Sequence, residues 1–249
     1  MHKIITLVAV ATIILASCKP QTKSTGSMAK FDEAPEWAAS AIWYQIFVER
    51  FRNGNPNNDP TMETNRGALI DEIPASWQIT PWGHNWYVQE SWAKETGLDF
   101  YRTIQMRRYG GDLEGVMQKV NYLQDLGINA VYFNPLNDAP SLHKYDARNY
   151  HHIDVTFGDD RDGDLALMKK EDPSKPESWV WTSADKKFVE LISQFHKAGI
   201  KVVLDFSWNH TGTQFWAFQD IIKNGASSRF AGWYEIKTFD NAATPENEW

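Results

Sequence analysis

Three short stretches carry residue types suited to chemistry. In "VVLDFSWNH", residues 202–210, an apolar run ends in Asp205 and is followed by Asn209 and His210. A carboxylate at the exit of a strand can orient a cationic partner or bond a ligand hydroxyl, and the residues beyond it add donors and acceptors. The same pattern also suits a polar loop start that caps a helix. In "HKYDARNYHHIDVTFG", residues 143–158, His143, Tyr145, Asp146, Tyr150, His151, His152 and Asp154 crowd one segment. Aromatic rings among polar groups fit a wall that packs on a sugar ring. Zinc is disfavoured there, because no HExxH or Cys/His ligand spacing is present. In "RFRNGNPNNDP", residues 50–60, Asn53, Asn55, Asn58 and Asp59 offer oxygen ligands on a Gly/Pro-bent loop. That donor set suits calcium, which takes about 6–8 oxygens, and equally a plain Asx-rich turn. "DDRDGDL", residues 159–165, lacks full EF-hand spacing and its closing Glu, so it reads as a solvated acidic turn.

These groups need elements to hold them. "DLEGVMQKVNYLQDLGINAVYFNPL" puts Leu113, Val116, Met117, Val120, Leu123 and Leu126 on one helical face. "SADKKFVELISQFHKAGIKVVLDF" repeats the plan with Phe188, Leu191, Ile192, Phe195 and Ala198. In each, a Gly-Ile pair turns helix into strand with almost no loop, as a left-handed glycine after a helix allows. An earlier apolar run, "AIWYQIFV", reads as a further strand. The expected order is β, α, β, α, β, an α/β fold with parallel strands buried on both faces. Helix-to-strand links are minimal, whereas strand-to-helix links run over about residues 49–111, 136–182 and from 207 onward. Long loops gathered on one face mark the functional face of a barrel or a doubly wound sheet, and periodicity leaves both open. No Gly-rich phosphate loop follows a strand; "GGDLEG" is not a GxGxxG.

Composition narrows the partners. The net charge of −7 argues against nucleic acid. Twelve Trp and 14% aromatic residues are many, and several fall where neither periodicity runs. At the N-terminus, His2 and Lys3 precede an apolar run at residues 4–16, shorter than a membrane span, ending in "LASC". This resembles a bacterial lipoprotein signal over residues 1–18, in which Cys18 becomes the lipidated first residue. The polar stretch at 19–36 reads as a flexible tether. A single cysteine allows no internal disulfide. The expectation is an exported protein, anchored by lipid to a bacterial membrane on its periplasmic or cell-surface side.

Taken together, the stretches resemble the α-amylase superfamily of glycoside hydrolases, in its cyclomaltodextrinase and neopullulanase-like branch. "AIWYQIFVERFRNGNPNNDP" is similar to that family's first strand, and "YGGDLEGVMQKVNYLQDLGINAVYFNPL" to its first helix and second strand. "HKYDARNY" is similar to the aromatic loop that follows, "VVLDFSWNH" to the conserved motif at strand three, and "FWAFQDIIKNGASSRFAGWYEI" to the stretch beyond it. The resemblance implies a (β/α)8 TIM barrel of which residues 37–249 hold the N-terminal part, about three strands, with an inserted loop domain beginning after about residue 211. It implies a retaining hydrolase of α-glucans: maltooligosaccharides, cyclodextrins, starch or pullulan. By position, Asp205 would hold an active-site arginine and touch the glucose at the cleavage point. His210 would bond that sugar, Tyr145 would stack on its face, and His143 would shape the same wall. Asn209 would be structural. The resemblance also implies a Ca2+ site of Asn53, Asn55, Asn58 and Asp59, joined by Gly110 and Asp112, with Asn55 standing where an Asp is frequent.

Three departures stand out. A tether takes the place of the β-sandwich this branch often carries ahead of its barrel. Residues 61–108, with Trp77, Trp82, Trp86 and Trp92, form a longer segment than usual, expected as an elaborated rim of the sugar cleft. The family's nucleophile (in a G-x-R-x-D motif) and its later acid/base Glu do not occur in these 249 residues. The expectation is therefore a truncated chain that is inactive and folds poorly alone. A catalytically inactive glycan-binding lipoprotein is the alternative, and an unrelated metal-dependent barrel enzyme a weaker third.

Overall fold

The computed structural model describes residues 34–68 and 73–239, so Cys18 and the leader lie outside the described residues. The chain divides into two compact units, residues 1–40 and 41–249. Of the first, the described part holds a single 3-10 turn at Glu36–Ser40. Among the described residues, no helix is long and apolar enough to cross a membrane.

The second unit is built on three parallel strands: β1 (Trp43–Ile46), β2 (Ala130–Phe133) and β3 (Lys201–Leu204). They pair in the order β1-β2-β3, Trp43 opposite Ala130 and Ala130 opposite Lys201. The order runs in one direction, as around a barrel and as in one half of a doubly wound sheet. Strand β2 is buried, with Ala130, Val131 and Phe133 inaccessible. The expectation of burial on both faces fails for β1 and β3, whose residues other than Ile46 are half-buried or exposed, because they are the outer strands of the described sheet.

Helices α1 (Ser91–Glu95) and α2 (Phe100–Thr103) lie in the connection after β1. The helical stretch before β2 breaks at Gln118 and Lys119 into α3 (Leu113–Met117) and α4 (Val120–Asp125). Leu113, Val116, Val120 and Leu123 bury as their spacing predicts, but Leu126 is 52% exposed. The helix has ended one residue earlier, so Leu126 leaves the buried stripe. The "DDRDGDL" stretch is likewise not a solvated turn: it opens α5 (Arg161–Met168), with Asp160 accepting from Gly163 N at 3.0 Å. Asp164 is buried, receiving Ser183 N at 2.6 Å and Ser183 Oγ at 2.7 Å at the head of the next helix.

That helix, α6 (Ser183–Lys197), is fastened at both ends. Thr182 Oγ1 accepts from Asp185 N at 3.0 Å while Asp185 Oδ2 accepts from Thr182 N at 3.0 Å, a reciprocal N-terminal cap. At the far end Gly199 takes φ 76°. Gly199 N bonds His196 O at 3.1 Å and Ile200 N bonds Phe195 O at 2.8 Å, which reverses the chain directly into β3. Gly127 repeats the turn before β2 with φ 81° and the equivalent bonds to Gln124 and Leu123. Phe133 meets Phe188 and Phe195 edge-on, each 6.0 Å between ring centres, and so joins β2 to α6 in the main core. A separate aromatic core surrounds α7 (Trp216–Asn224) with Phe215, Ile221 and Phe230.

Thr182 is wholly buried and supplies the α6 cap. Thr182→Ala is expected to lower stability by about 1 kcal/mol, with Thr182→Ser largely restoring it. Urea unfolding midpoints, read at unchanged m-value, check this.

Candidate functional site

The strand ladder continues one step past each C-terminal end. Asn134 N donates to Ile46 O at 3.0 Å, and Asp205 N donates to Phe133 O at 3.0 Å. Asn134 and Asp205 thus stand on the edge from which every long connection departs. The 134–182 connection folds back over this edge, and the Tyr145 hydroxyl donates to Asp205 Oδ2 at 2.6 Å. That bond to a carboxylate, with some burial, pushes the Tyr145 phenol up to about 12. Tyr132, on β2, has its phenol raised by the same carboxylate.

Further bonds sew the loop after β3 to the "HKYD" loop. Ser207 Oγ donates to Tyr145 O at 2.9 Å, and Gly212 N donates to Ala147 O at 3.3 Å. The Tyr150 hydroxyl lies 2.8 Å from Ser207 O and 2.6 Å from His210 O. The His143 ring packs 5.7 Å from that of Tyr145, centre to centre. Its Nδ1 accepts from Tyr145 N at 3.2 Å, which leaves Nε2 to carry the proton of the neutral ring. Burial holds the His143 imidazole below its usual range, helped by the Arg108, Lys144 and His210 charges and opposed by Asp146. The His210 ring is exposed beside Asn209 Oδ1, 3.1 Å from its Nδ1.

Lys144 anchors this loop. It holds φ 62°, a left-handed conformation uncommon for a residue with a side chain. Its buried ammonium bonds Ala139 O at 2.9 Å and Asp154 Oδ2 at 2.6 Å. Asp154 also accepts from Thr156 Oγ1 at 2.6 Å, so the charge pair is well satisfied. His143 and Tyr145 flank this anchored residue. Sequence reasoning passed over Lys144, Ser207 and Tyr132 as site components; only the alternation along "VYFNP" bore on Tyr132.

The oxygen-rich loop after β1 has a mixed donor set. Asn53 Nδ2 donates to Asp59 Oδ1 at 2.6 Å, while Asn53 Oδ1 is buried without a hydrogen-bond partner. Gly110, at φ 72°, packs so closely that a Cβ there would strike Asp59 and Asn53. The Asp59 carboxyl is pushed up to about 6, chiefly by burial and also by Asp112, against the Asn53 bond and Arg161. Asp112 receives Gly115 N at 2.6 Å and Asn55 N at 2.7 Å. Asn53, Asp59 and Gly110 therefore meet closely, and Asp112 is near enough to raise the Asp59 carboxyl, a donor set whose chemistry suits a hard cation. Asn58 is engaged differently from the ligand role the resemblance implied. Its amide donates to Val155 O at 2.9 Å and Gly158 O at 2.7 Å, and its oxygen accepts from Arg161 N at 2.6 Å. Asn55 Oδ1 caps the short turn at Pro56–Asn58, receiving Asn57 N at 3.3 Å. The long 61–108 segment splits its tryptophans. Trp77 and Trp92 are buried in a small core with Ala93 and Met106, whereas Trp82 and Trp86 are about half exposed.

Parallel strands with adjacent order, tight returns and a polar edge beneath long loops fit the framework of a (β/α)8 barrel. The family profile described as "Alpha amylase, catalytic domain" matches residues 45–172 and 183–249. The chain belongs to the α-amylase family, and its sheet is three strands of that catalytic domain's barrel. It is 35% identical over 207 residues to the intracellular maltogenic amylase of Bacillus subtilis, covering 83% of this chain and 26% of that protein. It is 36% identical over 203 residues to the cyclomaltodextrinase of Thermoanaerobacter pseudethanolicus, covering 82% and 25%. The cyclic α-maltosyl-(1→6)-maltose hydrolase of Arthrobacter globiformis, in complex with maltose, superposes with a TM-score of 0.59 at 27% identity, covering 86% of this chain and 36% of that one. The chain thus spans about a quarter of the length of these curated relatives.

Asp205→Asn is expected to bring the Tyr145 phenol down from about 12 toward its ordinary value near 10. The raised value means that this bond stabilises the fold below about pH 10 and that the contribution is lost as pH rises through 12. NMR titration of ring-labelled tyrosine checks both values.

Proposed function

We propose that this chain contributes the sugar-holding part of a retaining α-glucan hydrolase acting on maltooligosaccharides, cyclodextrins, starch or pullulan. The observation that carries the reading is the 2.6 Å bond from Tyr145 to Asp205, which sets an aromatic face beside a carboxylate on the loop-bearing edge. In this reading Tyr145 packs on a glucose ring, His143 walls the same subsite, and His210 and Asp205 bond the sugar hydroxyls. Asp205 would also pair with an arginine, so it supports the reaction and does not attack the sugar. A retaining mechanism needs a nucleophilic carboxylate and an acid/base carboxyl about 5–5.5 Å apart. The motifs that supply them in this family are not among residues 1–249, so the part proposed for these residues is to bind and orient glucan.

Two further parts belong to the proposal. The "LASC" signal supports lipid attachment at Cys18 and export to a membrane surface. The carboxylate pair Asp59 and Asp112, with the unpartnered Asn53 Oδ1 and the carbonyl of Gly110, supports a Ca2+ site. A bound calcium would neutralise that pair and pin the 50–60 loop to the start of α3. Asn55 and Asn58 would serve it by shaping the loop.

Calorimetric titration with maltotriose tests the sugar site: Tyr145→Ala should cost roughly 1–3 kcal/mol of binding, the scale of an aromatic face. Unchanged affinity would remove Tyr145 from the site, and maltotriose cleavage by the 249-residue chain would overturn the division of labour. For calcium, chelation should lower the melting temperature and added Ca2+ restore it, with the shift lost in Asp59→Asn. An unchanged melting curve would retire that site.

A further inference from the structure

The connection between β2 and α6 brings two adjacent imidazoles and a distant carboxylate to one point. His151 Nε2 lies 2.9 Å and His152 Nε2 3.1 Å from the same oxygen, Glu171 Oε1. One ligand atom from each residue falls within 4.8 Å of the other two. Donors held by one tetrahedral zinc at about 2.0–2.2 Å stand about 3.3–3.5 Å apart. The two nitrogen-to-oxygen sides need to open by about 0.2–0.6 Å to take the ion, and the third side is already within 4.8 Å. Without one, both rings present an N–H to the same carboxylate, His152 Nε2 lying 3.1 Å from each of its oxygens.

The rings are also set in place from behind. His152 Nδ1 lies 2.7 Å from Asp185 Oδ2, the carboxylate–imidazole pairing that orients a metal-ligating histidine. Asp185 is itself held by Ile153 N at 2.8 Å and by the α6 cap. The His151 ring stacks on Trp179, 4.0 Å between centres and 9° from parallel. The Glu171 side chain is 2% exposed and accepts from Val180 N at 3.2 Å. A cavity of about 550 Å³ opens alongside, lined by His151, His152, Trp179 and Asp185 among others.

We propose that His151, His152 and Glu171 form a divalent transition-metal site, suited to zinc, with Asp185 orienting His152. Nitrogen donors from two imidazoles separate it from the all-oxygen loop after β1 and favour zinc over calcium or magnesium. Three protein ligands leave a fourth position for water from the cavity. The ion would clamp the 143–158 loop and residue 171 onto α6, one loop-length from Tyr145. The sequence spacing that counted against zinc missed this because Glu171 reaches the pair only after α5 has turned the chain back.

The 249-residue chain, stripped by chelation, is titrated with Co2+ as a spectroscopic probe and then with Zn2+ in excess Ca2+. One Co2+ per chain with the intense visible bands of tetrahedral coordination is expected, displaced by Zn2+. X-ray absorption fine structure of the zinc form should show two imidazoles and no sulfur. His151→Ala and Glu171→Gln should each weaken Zn2+ binding by at least about tenfold. Absence of binding, fine structure without two imidazoles, or variants that bind Zn2+ as tightly as the parent would overturn the proposal. The fine structure of the parent chain decides the matter alone if a variant fails to fold.

Discussion

Parallel pairing is the constraint on which the rest depends. Strands that run the same way must each be reached by a crossover, so their C-terminal ends share one edge and their N-terminal ends the other. Here the N-terminal edge receives the chain through the tight returns at Gly127 and Gly199, which have no room for chemistry. The opposite edge launches the long connections. Because the ladder persists for one residue beyond β2 and β3, Asn134 and Asp205 have fixed heights on that edge. A one-residue slip of β3 would turn Asp205 to the other face of the sheet and take it from Tyr145.

Loops of such length cannot be held by apolar packing alone, and this chain holds them with buried polar pairs. Lys144 with Asp154, Arg148 with Asp138, and Arg107 with Glu90 each tie together two parts of one long connection. A buried pair of this kind adds little net stability compared with an apolar substitute, yet losing one partner strands the other charge. Such pairs therefore act as locks on one arrangement. Lys144 shows this most clearly, since its ammonium is bonded while its backbone is held left-handed between His143 and Tyr145. The same logic extends along the connection, where His152 sits between Asp185 and Glu171. Tyr145 and the imidazole pair thus belong to one polar framework, and the α6 cap is part of it.

Much of the framework was legible in residue order, and the failures have physical causes. The stripe through Leu113, Val116, Val120 and Leu123 buries as its spacing implies, because a helix repeats every 3.6 residues whatever surrounds it. Leu126 does not, because the end of a helix is set by its cap and not by its periodicity. The acidic run at 159–165 misleads for a similar reason. Its aspartates are solvated as a sequence, but Asp160 caps α5 and Asp164 caps α6 from 19 residues away. Asn58 is the same case, its three hydrogen bonds reaching residues about 100 positions on. Trp77 and Trp92 are indistinguishable by composition from Trp82 and Trp86, and only packing divides them into core and surface.

What residue order determined by itself is the local grammar: helix faces, glycine returns, the three strands and the edge on which polar groups gather. Each of these rests on contacts between residues a few positions apart or on the period of a single element. Tertiary structure alone decided which polar groups meet: Tyr145 with Asp205, Asn53 with Asp59 and Gly110, and His151 and His152 with Glu171. Those meetings depend on where loops return after a crossover. That is governed by burial and by the pairing of charges distant in the chain, neither of which leaves a period to read.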